Sequence, residues 1–252
     1  MKINKLALII VAIATVSMLS HAQAGFDQNV TPDVIFGSGN VNGSFTTDQS
    51  NGVELGLRGK LRHNGSGFAE NTFNSDGAGF YTFQAGVAPT QSFPTAEWSF
   101  EWSINTNWDG SSSWNLADLD YALSLDTDPG PGTNFTTFDP INDGSPAFWD
   151  HSIGDNSTNA ATDSIATDAT DYANLIAANN VAQNSWKPHW FFSPFDPTLS
   201  GVYTITLTAF DGATTVASSS ININVVPEPT TLALGLSSLA VVAIGRRNRR
   251  KA

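Results

Sequence analysis

Apolar residues recur at every second position in several short runs of this chain, the pattern of half-buried β-strands. In VELGLRGKLRH, Val53, Leu55, Leu57 and Leu61 alternate with Glu54, Arg58, Lys60 and Arg62. The spacing predicts a strand with three basic residues on its wet face. In EWSFEWSIN, Trp98, Phe100, Trp102 and Ile104 alternate with Glu97, Ser99, Glu101 and Ser103. This second strand turns large aromatics to one side and solvated glutamates to the other. LDYALSLD brings Leu119, Tyr121, Leu123 and Leu125 into phase, and FYTF at 80–83 and HWFF at 189–192 predict shorter strands. GVYTITLTAF and TTVASSSININVV flank Asp211-Gly212, which predicts a hairpin closed by a type I′ turn. Thr204, Thr206 and Thr208 form the polar face of its first arm.

One stretch has the helical period instead. DATDYANLIAANN sets Ala169, Tyr172, Leu175 and Ile176 on one face, with Asp168 as N-cap, Asp171 in the first turn and Asn179-Asn180 at the exit. Residues 126–159 are rich in Pro, Gly, Asp and Asn and read as long loops on a β scaffold. No linker divides the middle of the chain. The fold expected is all-β: a single β-sandwich over residues 25–226 with one short helix, flanked by hydrophobic N- and C-terminal targeting helices. Leu199-Ser200-Gly201-Val202-Tyr203 resembles the L-x-G-x-Y tyrosine corner of immunoglobulin-like and other Greek-key sandwiches, a likeness confined to residues 197–225. The expected sandwich accordingly has immunoglobulin-like or jelly-roll features.

Both ends depart from this pattern. Lys2 and Lys5 precede an apolar run over 6–19, followed by Ala22-Gln23-Ala24. That is a secretory signal peptide over 1–24, with cleavage by signal peptidase expected before Gly25. Once the ends are set aside, residues 25–226 hold 4 Lys and Arg (Arg58, Lys60, Arg62, Lys187) against 22 Asp and Glu, a net charge of −18. A surface this acidic repels phosphate backbones and excludes nucleic acid as a natural partner. The chain has no cysteine, so export brings no disulfides and stability rests on the core.

No catalytic motif stands out. Glu97 and Glu101 share a strand face but would lie about 13 Å apart, beyond the roughly 5–9.5 Å of glycosidase carboxylate pairs. His63, His151 and His189 have neither H-x-H nor H-E-x-x-H spacing, and no G-x-S-x-G elbow marks a serine nucleophile. No metal ligands are assigned. Asn105, Asn107 and Asp109 before Gly110 have the alternate spacing of half an EF-hand loop, and DTDPG at 126–130 and DHSIGD at 150–155 are further oxygen-rich loops, so a structural calcium ion is the one cofactor worth testing, with no single site favoured. Asx-rich turns explain the same residues without metal. Among the tryptophans, Trp98 and Trp102 belong with the core. Trp108 and Trp114, around the Gly/Ser/Asp loop 109–113, are the candidates for stacking on a carbohydrate.

The last 27 residues read VPEPTTLALGLSSLAVVAIGRRNRRKA. Pro227-Glu228-Pro229 is stiff and extended. The 16 mostly apolar residues 230–245 would make a helix of about 24 Å, short of a ~30 Å hydrocarbon core. Arg246, Arg247, Arg249, Arg250 and Lys251 would stop transfer and remain cytoplasmic. The order Val226-Pro227-Glu228-Pro229, apolar segment, arginine cluster closely resembles the PEP-CTERM sorting signal of Gram-negative bacteria. The resemblance implies that residues 227–252 are read by an exosortase-type membrane protease after export by the secretory pathway. The chain would sit transiently in the inner membrane through its C-terminal helix, then move to the cell surface or extracellular matrix. The function expected is therefore a surface or matrix protein without enzymatic activity, with exopolysaccharide as its ligand; the alternative is a secreted polysaccharide-acting hydrolase.

Overall fold

The computed structural model describes residues 24–143, 150–191 and 193–228. The signal-peptide run and the apolar tail with its arginine cluster lie outside the described residues, as does Trp149. Among those described, no helix is long and apolar enough to cross a membrane.

The described residues form eleven strands and one α-helix. In chain order they are β1 (Gly25–Gln28), β2 (Phe45–Ser50), β3 (Val53–Leu61), β4 (Phe80–Gln84), β5 (Trp98–Asn105), β6 (Asp120–Asp126), β7 (Phe135–Phe138), β8 (Ser152–Gly154), α1 (Ala169–Ala178), β9 (Val181–Trp186), β10 (Gly201–Asp211) and β11 (Thr214–Val226). One sheet has the order β1-β2-β3-β5-β9-β8, the other β4-β11-β10-β6-β7. All pairings are antiparallel except β4 with β11. The expected sandwich is present, with a single core cluster drawing on both sheets.

Alternation explains the inner faces. Leu55 and Leu57 of β3 and Trp98, Phe100, Trp102 and Ile104 of β5 meet Leu123, Leu125, Tyr203, Ile205, Leu207, Ile221 and Ile223 from the opposite sheet. Trp98 sits against Phe83, Phe195 and Tyr203 with ring centroids 5.8–6.4 Å apart, and Trp186 packs on Trp102 at 5.2 Å. Gly59 lies where the two sheets approach closely. A Cβ there would come within 2.9 Å of Ile223, Tyr81 and Phe83. The helix forms as its sequence predicts: Asp168 caps it by accepting from the backbone N–H of Thr170 and Asp171, while Tyr172 and Ile176 are buried.

The outer face of β3 and β5 differs from expectation. Glu54, Arg58, Lys60, Glu101, Ser103 and Asn105 are buried, because residues 29–44 lie across them as a strap. The strap is held by side chains that reach its backbone. Glu54 accepts from Thr31 N–H, Gln183 accepts from Ile35 N–H, Asn105 donates to the Thr31 carbonyl, and Arg58 donates to the carbonyls of Val41 and Gly43. Val30, Val34, Phe36 and Phe45 form a second small apolar cluster beneath it. At its centre Arg58 Nη2 lies 2.6 Å from Glu101 Oε2, with Lys60 Nζ 3.4 Å from Oε1. The guanidinium is stacked between Phe45 and Phe73, about 4 Å from each ring centroid. A strand that looked half-wet is therefore buried on both faces. The local pattern carries no sign of this because the covering strap has little periodicity of its own.

Three smaller expectations are corrected. The hairpin turn falls one residue later than Asp211-Gly212. Asp211 pairs with Thr214, Gly212 takes φ +57°, and Ala213 has no positive φ, the φ pattern of a II′ turn with glycine first. HWFF begins with a 3-10 turn over Pro188–Trp190 rather than a strand, since Pro188 has no N–H for a ladder. The loop-rich stretch 126–159 contains β7 and β8, two short pieces at sheet edges. The threonine face of β10 is a cross-strand ladder in which Thr204, Thr206 and Thr208 bond Asn222, Ser220 and Ser218.

His151 is buried beside Trp102, with ring centroids 4.8 Å apart. Its Nε2–H donates to the Pro140 carbonyl at 2.7 Å, and its Nδ1 accepts from Asn184 Nδ2 at 3.0 Å. A neutral ring satisfies both contacts; protonation would set two donors face to face. Burial accordingly pushes its pKa down to about 4.

Glu101→Ala leaves Arg58 and Lys60 buried without their counter-charge and should cost about 3–5 kcal/mol in urea unfolding. His151 is depressed from about 6.5 unfolded to about 4 folded. Its contribution is complete above pH 6.5 and disappears as pH falls toward 4, so native protein should lose roughly 3 kcal/mol relative to His151→Gln across that window. Parallel stability–pH curves for the two proteins would contradict the assignment.

Candidate functional site

The sorting motif begins before the fold ends. β11 is paired with β10 over 214–225 and, on its other side, with β4 over 222–226: Val225 lies opposite Gly201 of β10, and Val226 opposite Gln84 of β4. The Val226 carbonyl then accepts from Ala85 N–H at 2.8 Å. Pro227 and Glu228 follow directly and are exposed. Pro229 and the basic residues 246, 247 and 249–251 lie outside the described residues, as does Ala22; Ala24 is exposed immediately before β1.

The exit sits in a shallow cleft of about 220 Å³ formed by Gln84, Ala85, Gly86, Val87, Pro89, Glu97 and Glu228. Gly86 takes φ +141°, and a Cβ there would lie 2.7 Å from Glu228 Oε1, so glycine suits both the backbone and the close approach. Glu97 organises the cleft. Its Oε1 accepts from Gln84 N–H at 2.6 Å, and its carbonyl accepts from the N–H groups of Arg62 and His63 at 2.7 and 2.9 Å. Burial raises the Glu97 pKa, the Gln84 N–H opposes this, and the Glu228 charge adds to it.

Arg62, His63, Lys187 and His189 gather beyond the ends of β3 and β9. His63 and His189 are pushed down, first by burial and then by Lys187, and Lys187 is lowered by burial and by Arg62. His63 Nε2 and His189 Nδ1 have no hydrogen-bond partner among the described residues. Arg58 and Lys60 are already engaged by Glu101, so Arg62 and Lys187 are the two cations of residues 25–226 left outside that pair. The sequence showed four cations; only the fold shows that these two share one corner.

The other sequence candidates are dispersed. Trp108 and Trp114 are each half-buried, and Trp114 packs against the core. Trp190 is the exposed tryptophan among the described residues, at 53%. Glu101 is wholly buried and Glu97 serves the exit cleft, so the two do not share a solvent-facing site. The Asn105 loop spends its oxygens on turns. Asn105 Oδ1 accepts from Asn107 N–H and Asn180 Nδ2, Asn107 Oδ1 from Ser112 N–H, and Asp109 Oδ1 from Ser111 N–H. Among the described residues no group of three or more His, Asp or Glu side chains converges as a metal site.

Residues 225–251 match the PEP-CTERM protein-sorting motif. No curated protein and no solved structure matches the chain. The match thus covers the tail and the last two residues of β11, Val225 and Val226, which belong to motif and fold alike.

Because its folded pKa is raised, Glu97 favours the folded state below its unfolded pKa and loses that contribution as pH rises. Glu97→Gln, which keeps an acceptor for Gln84, should therefore melt higher than native protein at pH 7 and converge with it near pH 4. A constant offset in melting temperature over that range would contradict the assignment.

Proposed function

We propose that the domain formed by residues 25–226 is exported cargo, delivered to the cell surface or extracellular matrix by its C-terminal tail, where it binds exopolysaccharide without cleaving it. The tail motif implies processing by an exosortase after export. The observation that carries the reading is the overlap of motif and fold at Val225–Val226, with Pro227 and Glu228 exposed. The strand ends where the recognition segment starts, so a protease could reach the Pro-Glu-Pro segment without unfolding the domain. Polysaccharide binding is supported by the half-exposed tryptophans Trp108 and Trp114, together with the exposed Trp190. Aromatic faces of this kind stack on sugar rings.

Intact-mass analysis of the product from the native host tests the sorting reading. A chain beginning at Gly25 and lacking the arginine cluster is expected, recovered outside the inner membrane. Glu228→Ala should leave a tail-bearing form in the membrane fraction. Full-length chain in the cytosol would end the proposal. A glycan array probed with processed protein, with and without calcium, tests the ligand. Binding should weaken in Trp108→Ala or Trp190→Ala, and release of reducing ends would favour a hydrolase instead.

A further inference from the structure

Residues 230–245 start four positions beyond Val226, the last residue fixed in the sheet. Four residues reach at most about 14 Å when fully extended. The headgroup zone on each side of the hydrocarbon core is itself roughly 5–8 Å deep. While the tail remains in the bilayer, the pole of the sandwich from which β11 leaves has almost no slack to stand away from it.

That pole is defined by contacts already described. Gln84 N–H bonds Glu97, and Trp98 packs on Phe83 and Tyr203, so the C-terminal ends of β3, β4, β9 and β11 lie together. Its loops carry an unusual share of exposed apolar bulk for so acidic a domain. Phe68 is 71% exposed, Phe93 61% and Trp190 53%, with Val87 and Leu199 beside them in the same loops. The loops are knit together: Gly67 lies against Thr90, and Gly86 N–H bonds the Pro197 carbonyl. The unspent cations Arg62 and Lys187 sit here too, with Lys187 Nζ 5.8 Å from the Trp190 ring centre. Glu70, Asp126, Asp128, Asp196 and Glu228 flank them, and a hydrogen bond from a neutral donor does not remove a carboxylate's charge, so the exposed aromatic side chains, and not net charge, carry the contact.

Aromatic side chains at the headgroup level with nearby Lys or Arg are the chemistry of an interfacial contact. We infer that the tail-bearing pole is a lipid-docking surface, seating Phe68, Phe93 and Trp190 in the headgroup region of the bilayer while the tail is inserted. The seat would fix the Pro-Glu-Pro segment at a constant height above the membrane and release the domain once the tail is cut. The inference rests on membrane insertion of the tail, as in the proposed function.

The absence of cysteine makes a clean test available. Tail-bearing chain carrying Phe93→Cys, or Ala213→Cys at the opposite pole, is labelled with an environment-sensitive fluorophore. It is then reconstituted into phosphatidylcholine vesicles with and without phosphatidylglycerol. Co-flotation with vesicles reports tail insertion independently, so loss of flotation indicts the sorting reading and not the docking surface. In chain that floats, the position-93 label should shift to the blue and be quenched by bilayer-borne quenchers, while the position-213 label should do neither. Phe68→Ser with Trp190→Ser should abolish the blue shift at position 93 in both lipid mixtures while flotation persists. Equal signals from the two poles in floating chain would overturn the inference, as would an unchanged position-93 blue shift in the Phe68→Ser, Trp190→Ser chain.

Discussion

Glu101 holds its carboxylate at zero exposure, within 2.6 Å of Arg58 and 3.4 Å of Lys60. An ion pair so deeply desolvated is tolerable only when its remaining donors and acceptors are met. The strap of residues 29–44 meets them. Its carbonyls at Val41 and Gly43 take the guanidinium N–H groups, and Asn40 bridges both cations and the carboxylate. The pair and the strap are thus mutually required. Without the strap the charges would be wet and worth little; without the charges the strap would lose its anchors at Asn40, Val41 and Gly43. This gives the domain a third layer and converts β3 and β5 from half-buried strands into central ones.

The same pair shapes the surface chemistry. Residues 25–226 contain four cations, and two are withdrawn into the interior. What remains outside is almost uniformly acidic, apart from the corner at Arg62 and Lys187. That corner lies at the pole where the tail departs, beside the loops with Phe68, Phe93 and Trp190. Charge, exposed aromatic surface and tail are placed together because β3, β9 and β11 all end there. Glu97 ties the arrangement together, accepting from Gln84 on one side while its carbonyl holds the backbone of Arg62 and His63 on the other.

Some of the fold was legible from period and punctuation alone. Val53–Leu61, Trp98–Asn105 and Asp120–Asp126 became strands with their apolar sides inward, and Asp168 capped the helix it was expected to cap. The sandwich followed from the number of such strands. The tail motif was readable for a different reason: a protease reads it as a linear segment, so the order Pro-Glu-Pro, apolar run, arginine cluster is itself the signal.

What the sequence could not show required contacts between distant residues. The burial of Arg58 depends on Glu101, 43 positions away, and on backbone carbonyls of a strap that has no periodicity. His151 is kept neutral by burial among residues distant in sequence, against the opposing pull of the Pro140 carbonyl and with Asn184 on its other nitrogen. Strand β9 was missed because Gln183 and Asn184 are polar yet buried, one reaching the strap and the other His151. Local pattern determines which way a side chain faces along its own strand. Only tertiary structure decides whether water or another segment waits on that side, since burial depends on the neighbours that long-range pairing supplies.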